Sequence, residues 1–418
     1  MPVGGHNSVT AMDETFAFLR KPYDFISEGC ERRGSDVFET RLMLRPTICM
    51  MGREAAEFFY DERHFSRQDA APLRIQQSLL GHGGVQGLDG DAHQHRKRMF
   101  LEITRPQRVA QLLTITEGHW VRAAQCWQKC RQIVLYDELH GLLTRAVCEW
   151  AGVPIAEREL RRRVHELTVM FDRAGAVGPA HWSARGARNR AERWLRALVA
   201  DVRAGTFDPR AESALSTVAW YRDSNGALLT TRTAAVELLN VLRPTVAVSV
   251  FIVFAAVALY RHPHLRARLL REEQPVLEQF VQEVRRYYPF FAAAMARARE
   301  DFTWHGQRFW RGERVMLDLH GTNHDVRHWI EPGEFRPDRF AGPPPDGFDF
   351  VPQGGGTYDH HHRCPGEGIT VALMKQAVRF LLRRLAFNWP PQDLEIDRKR
   401  LPALPRSRVV LSDVRLLR

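Results

Sequence analysis

Residues 354–368 read GGGTYDHHHRCPGEG and place five side chains with metal-binding atoms close together: Asp359, His360, His361, His362 and Cys364. A zinc cluster here would need C-x2–4-C or H-x3–5-H spacing, and successive histidines rarely all reach one ion. No CxxCH motif for covalent haem attachment occurs either. Cys364 has the most informative context, because Pro365, Gly366 and Glu367 precede the amphipathic run ITVALMKQAVRFLLRRL. Proline and an acid in the first turn, with arginines in the last, predict a helix beginning just after the cysteine. A thiol there meets backbone N–H groups and the positive end of the helix dipole. That predicts a lowered pKa and a thiolate fit to act as nucleophile, redox sensor or metal ligand. A buried, inert cysteine is the competing reading.

The second chemically pointed residue is Arg243, in Glu237-Leu-Leu-Asn-Val-Leu-Arg243-Pro244-Thr245 at the head of the apolar run Val246–Leu259. Its helical neighbours Leu239, Asn240, Val246 and Ala247 carry no negative charge, and Glu237 falls on another face. An unpaired buried guanidinium is costly, so an anion from elsewhere is expected to meet it. Pro244 frees the Asn240 carbonyl and predicts a break or kink. Two charged pieces follow: Glu283-Val-Arg-Arg286, with Glu and Arg one turn apart, and Phe335-Arg-Pro-Asp-Arg339-Phe340. Taken singly, each reads as a surface ion pair of little worth.

The elements that must position these residues are mostly helical. Apolar periodicity predicts helices around 92–103, 106–130, 136–151, 156–174, 186–204, 209–222, 228–260, 263–272 and 275–288. Short β-like pieces at 302–305, 308–310 and 314–319 are followed by an irregular stretch, and a helix resumes over about 366–386. The expected fold class is mainly α with a small β region, in one domain over 1–418, with a buried helix at its centre. Composition is that of a globular enzyme, 44% hydrophobic and 26% charged. The net charge of +11 could suggest a nucleic-acid partner. However, no nucleic-acid module appears, and 55 arginines against five lysines are spread along the whole chain. The six cysteines follow no framework spacing, and the N-terminal stretch MPVGGHNSVTAMDE lacks the pattern of a leader. The most apolar run, 14 residues, is too short for a transmembrane segment. A cytoplasmic location follows as the expectation.

Glu283/Arg286, then Arg339, then Phe350…Arg363-Cys364-Pro-Gly366 resemble, in this order, the cytochrome P450 superfamily. The resemblance implies a haem b cofactor between the long central helix and the cysteine-loop helix, with Cys364 as the axial thiolate ligand of the iron. It also implies that Glu283, Arg286 and Arg339 lock together structurally. The sequence departs from the superfamily in two places. Phe350 lies fourteen residues before Cys364 where seven is usual, so the loop is lengthened. The acid–alcohol pair common in the central helix of monooxygenases is missing, and Arg243-Pro244 stands instead.

That Arg-Pro pair resembles the bacterial fatty-acid peroxygenases, and the phrases GGVQGLDG, YDELHGLLTRAVCEWAGVP, VLRPTVA, FVQEVRRYYPFF and LPALP resemble the Sphingomonas-type fatty-acid α-hydroxylases among them. The resemblance implies catalytic roles for Arg243, Pro244 and Gln86. Arg243 pairs with the carboxylate of a long-chain fatty acid, and that carboxylate supplies the acid–base function for using hydrogen peroxide without a redox partner protein. Gln86 faces the substrate, Leu79, Leu80, Phe290 and Phe291 line the acyl channel, and His93, Lys97, Arg297 and His362 hold the haem propionates. Oxidation is then expected at Cα, with Cβ attack or decarboxylation as the alternative. A reductase-dependent monooxygenase, a haem sensor and a zinc protein using 359–364 remain as competing readings.

Overall fold

The central apolar segment folds as a 31-residue helix, Thr231–Arg261, capped where the Thr230 hydroxyl accepts the Thr233 N–H at 3.0 Å. The structure, a computed structural model, describes residues 12–417; residues 1–11, most of the stretch read above for a leader, lie outside them. The helix runs through Pro244 without interruption, contrary to the expected break. It is packed by the helices Leu135–Ala151, Glu157–Asp172, Pro179–Arg203 and Glu367–Arg383, and that surrounding packing outweighs one missing N–H. The 14-residue apolar run Val246–Leu259 is only part of this helix. The whole helix is long and apolar enough to cross a membrane, but 94% of that apolar window is buried inside the molecule. It is a core helix.

Most expected helices appear within a few residues of their predicted bounds. The one expected over 186–204 begins earlier, at Pro179, with proline in its first turn. The one expected over 209–222 shortens to Ala214–Trp220, where the Ser213 hydroxyl caps the Ser216 N–H. The expected β pieces appear as Phe302–Trp304, Gln307–Phe309 and Arg314–Asp318.

The principal sheet has five strands in the order Val37–Leu42, Arg45–Met50, Arg314–Asp318, Ala293–Ala298 and Phe65–Ser66. Only Arg45–Met50 with Arg314–Asp318 runs parallel. Its N-terminal hairpin carried no turn signal, because the turn residues are Met43 (φ 54°) and Leu44 (φ 60°) rather than glycine or asparagine. A second sheet joins Gln132–Val134, Val410–Leu416 and Leu385–Asn388.

Helix Glu273–Tyr287 carries Glu283 and Arg286, both wholly buried. Glu283 accepts from Arg286 Nε (2.7 Å) and Nη2 (2.8 Å), from the Arg336 backbone N–H (2.7 Å) and from Arg339 Nε (3.2 Å). Arg286 also donates to the carbonyls of Asn323, Pro332 and Glu334. This is no surface pair: it ties the irregular stretch, which has little regular structure of its own, to the core. Replacing Glu283 with alanine leaves two guanidinium groups without their carboxylate. Urea unfolding of Glu283→Ala is expected to show a loss of about 3–5 kcal/mol.

Candidate active site

The cysteine loop is held from several sides. The Cys364 N–H donates to the Gln353 carbonyl (3.0 Å), and the helix Glu367–Arg383 begins three residues later. Glu367, in its first turn, takes a two-pronged bond from Arg363 (2.7 and 3.1 Å) and a further one from Arg285. Burial raises the Glu367 carboxyl, yet Arg285 and Arg363 together take it down to about 2. The Cys364 thiol does not follow the sequence expectation. Burial pushes it above its ordinary value, and the Gly366 N–H only partly offsets this. Coordination to a metal, rather than the helix end alone, would therefore hold it as thiolate.

Asp359 and His360 are exposed and pair with each other (3.3 Å), while His361 Nδ1 accepts the Thr357 N–H (2.9 Å). The run 359–364 does not converge on one point. What converges is His362 with His93, their rings stacked 3.8 Å apart, beside Lys97 and Arg67. His93, Lys97 and Arg67 are all buried. Lys97 donates to the carbonyls of His361 and Arg363, and Arg67 Nη1 to the Met295 carbonyl (2.7 Å). His93 Nδ1 and His362 Nε2 are buried without a hydrogen-bond partner. The nearest acid, Glu62, stays 4.0 Å from His93. Burial, then Lys97, lowers His93 to about 4, and burial lowers Lys97 to about 8. Four basic side chains with no carboxylate in hydrogen-bond reach among the described residues, beside a cysteine, fit a haem with two anionic propionates. His93, Lys97, His362 and Arg67 would hold those propionates, and Cys364 the iron.

Arg297 does not join this group; it donates to the carbonyls of Asp69 and Gly312, both at 2.8 Å. Arg67 was missed in the sequence. Its only cue was a position between Phe65 and Asp69, which no motif distinguishes from the other arginines.

Arg243, on the central helix, is 5% exposed and donates to the Leu79 carbonyl; no carboxylate pairs with it among the described residues. Burial and then the Arg188 guanidinium lower it to about 9. Arg188, from helix Pro179–Arg203, also donates to the Leu79 carbonyl, to that of Leu80 (3.1 Å), and from Nε to Glu192 (2.6 Å). The turn at Leu79–Leu80 comes this close because Gly81 has φ 83°, and a Cβ there would lie 2.1 Å from Arg188 Nη2. Arg188 was not foreseen. Its i,i+4 partner Glu192 was a signal, but one lost in an arginine-rich helix.

Gln86 lies across from Asn240, whose Nδ2 donates to its Oε1 at 3.2 Å. Phe290 packs 4.5 Å from Phe251 of the central helix, whereas Phe291 is 47% exposed. A separate groove of about 1160 Å³, lined by Asp24, Cys30, His320, His324 and Arg398 among others, includes none of the residues predicted for the site.

The family model for cytochrome P450 matches residues 247–411. Cytochrome P450SP alpha in complex with (R)-ibuprophen is 48% identical, covering 97% of this chain and all of that one, with a TM-score of 0.95. Cytochrome P450EX alpha with myristic acid is 42% identical over 97% of this chain and 98% of that chain, with a TM-score of 0.94. Cytochrome P450 120 of Synechocystis sp. is 24% identical over 92% of this chain and 90% of its own length. With likeness of this extent to enzymes whose haem b is ligated by a cysteine thiolate, the chain belongs to the bacterial fatty-acid peroxygenase family of cytochromes P450.

Proposed function

We propose that this enzyme uses hydrogen peroxide to hydroxylate long-chain fatty acids at Cα, with Arg243 as the anchor for the substrate carboxylate. One observation carries the reading: a buried guanidinium on the central helix, satisfied by a backbone carbonyl and by no carboxylate among the described residues. The molecules bound in the two solved relatives, (R)-ibuprophen and myristic acid, differ in shape but share a carboxyl group. A carboxylate matches the fork of a guanidinium, and pairing removes the cost of the buried charge.

The balanced reaction joins one C–H and one hydrogen peroxide to give C–OH and water. When bound, haem supplies the oxidising chemistry. The central helix offers no acid–alcohol pair for the proton traffic; Glu237 is already engaged by Arg96 and Asn240. The carboxylate held by Arg243 takes that place, accepting a proton from the peroxide and returning it to the departing oxygen. A head group fixed at Arg243 brings Cα and Cβ, rather than the far end of the chain, to the reacting position. Gln86 at the neighbouring position supports hydroxylation, because the hydroxylating members of the family resemble this chain in having glutamine there. Leu79, Leu80 and Phe290 supply apolar surface for the first part of the acyl chain, and Pro244 fixes the backbone directly after Arg243.

Given hydrogen peroxide and myristic acid, without NADPH or a reductase, the enzyme is expected to yield mainly 2-hydroxymyristic acid. Mainly 3-hydroxy acid or terminal alkene would overturn the Cα assignment. Arg243→Ala is expected to lower this turnover about a hundredfold or more. A variant that stays active only with NADPH and redox partners would overturn the peroxide mechanism.

The pH dependence of binding has a defined sign. The fatty-acid carboxylate is ionised above about pH 5, and it stabilises the charged form of Arg243, whose value in the free protein is about 9. Affinity measured by calorimetry is therefore expected to be level from about pH 6 to 8 and to fall about tenfold per unit above 9. A profile still level at about pH 10 would show that the guanidinium of the free protein stays charged beyond pH 9.

A further inference from the structure

Glu237 sits six residues before Arg243 on the central helix and has no exposed surface. Its Oε1 accepts from Arg96 Nη1 at 2.6 Å and its Oε2 from Asn240 Nδ2 at 3.0 Å, and the Val85 N–H also donates to it. Arg96 comes from helix Gly90–Ile103 and is itself buried. Burial raises the Glu237 carboxyl, but the Arg96 ion pair favours its ionised form; an ionised carboxylate only accepts hydrogen bonds, so Asn240 turns its NH2 toward Glu237. The same nitrogen also reaches Gln86 Oε1 at 3.2 Å. With both Asn240 hydrogens committed, Gln86 must face Asn240 with its oxygen.

The opposite arrangement is closed off. Turning the Asn240 amide over would set its oxygen against the Glu237 carboxylate, a contact between two acceptors. Asn240 Oδ1 is in fact buried without a partner, the cost of the orientation that Glu237 imposes. The loop carrying Gln86 can approach this closely because residue 84 is glycine: a Cβ there would lie 3.0 Å from both Asn240 Nδ2 and Gln86 Oε1. Gln86 Nε2 has no hydrogen-bond partner among the described residues, and Gln86 is only half-buried.

We infer that Glu237 is a positioning residue: through Asn240 it fixes the amide of Gln86 so that Gln86 presents its N–H groups as a second donor, beside Arg243, to the substrate carboxylate. This rests on the fatty-acid reading above. Arg243 follows Asn240 by three residues, about one helical turn, so the residue that Gln86 bonds and the guanidinium lie on the same face of the central helix. With a neutral glutamine at position 237, either amide orientation can be satisfied, and Gln86 loses its single direction.

The test is a double-mutant cycle read by calorimetric titration of the haem-loaded enzyme with myristic acid. Glu237→Gln is expected to weaken binding about tenfold in the natural chain and by less than about twofold when Gln86 is already leucine. Asn240→Leu, which leaves the Arg96–Glu237 pair in place, is expected to show the same dependence on Gln86. This second variant decides the matter if Glu237→Gln does not fold. Equal weakening in both backgrounds, or no weakening in either, would overturn the inference. Failure of the fatty-acid reading looks different: Arg243→Ala would then bind myristic acid as tightly as the natural chain, whatever stands at position 237.

Discussion

A guanidinium buried in an apolar helix constrains everything placed around it. Arg243 cannot discharge itself cheaply, and its helix supplies no acid on the same face, so the structure must bring a partner across from another element. What comes across is the Leu79 carbonyl, a neutral acceptor that satisfies a hydrogen bond but leaves the charge in place. Arg188 reaches the same carbonyl from a second helix and adds to the positive potential instead of relieving it. Two buried cations at one carbonyl form a place where an anion is strongly favoured. The turn at Leu79–Gly81, the absence of a side chain at Gly81 and the close docking of helix Pro179–Arg203 all follow from keeping that arrangement.

The same asymmetry governs the cysteine side. Three buried acids are answered by guanidinium groups: Glu283 by Arg286 and Arg339, Glu367 by Arg285 and Arg363, Glu237 by Arg96, with Asn240 as a further donor. Each has at least one guanidinium and a second donor. Near the central helix and the cysteine loop, the basic groups with no carboxylate in hydrogen-bond reach among the described residues are Arg243 in one place, and Arg67, Lys97, His93 and His362 in another. Bases left open in these two places, beside acids that are closely paired, suit anionic ligands. The two open groups match two different ligands, the propionates of the cofactor and the carboxylate of the substrate.

Where the sequence was legible, the cause was local chemistry. The helix after Cys364 announced itself by proline and acid at its start and arginines at its end, and the central helix by a long apolar run. Arg243 stood out because its own helical neighbours could not neutralise it. What could not be read depended on distant chain segments. Arg67 and Arg188 matter only because of what folds against them, and among 55 arginines neither has a distinctive local context. The hairpin at 37–50 escaped because its turn uses Met43 and Leu44 in left-handed backbone, a choice that only tertiary packing justifies. Two physical expectations also lost to tertiary context. Pro244 did not break a helix packed on several sides by others, and the helix end did not lower the Cys364 thiol, because burial acts more strongly.

In the proposed reaction, binding and catalysis meet in one ion pair, and that bears on how the enzyme selects its substrate. An apolar channel discriminates weakly, since one methylene more or less changes binding by only about 1–3 kcal/mol. A buried cation discriminates strongly, because a substrate without a carboxylate leaves it unpaired. Such a substrate would also bring no group to carry the proton, so it would fail in the chemical step as well as in binding. The central helix can therefore do without an acid of its own: Glu237 is free to be spent on orienting Asn240 and Gln86, and the missing acid arrives only with a molecule that fits. An oxidising site that completes itself only in the presence of its substrate is also protected from turning over peroxide to no purpose.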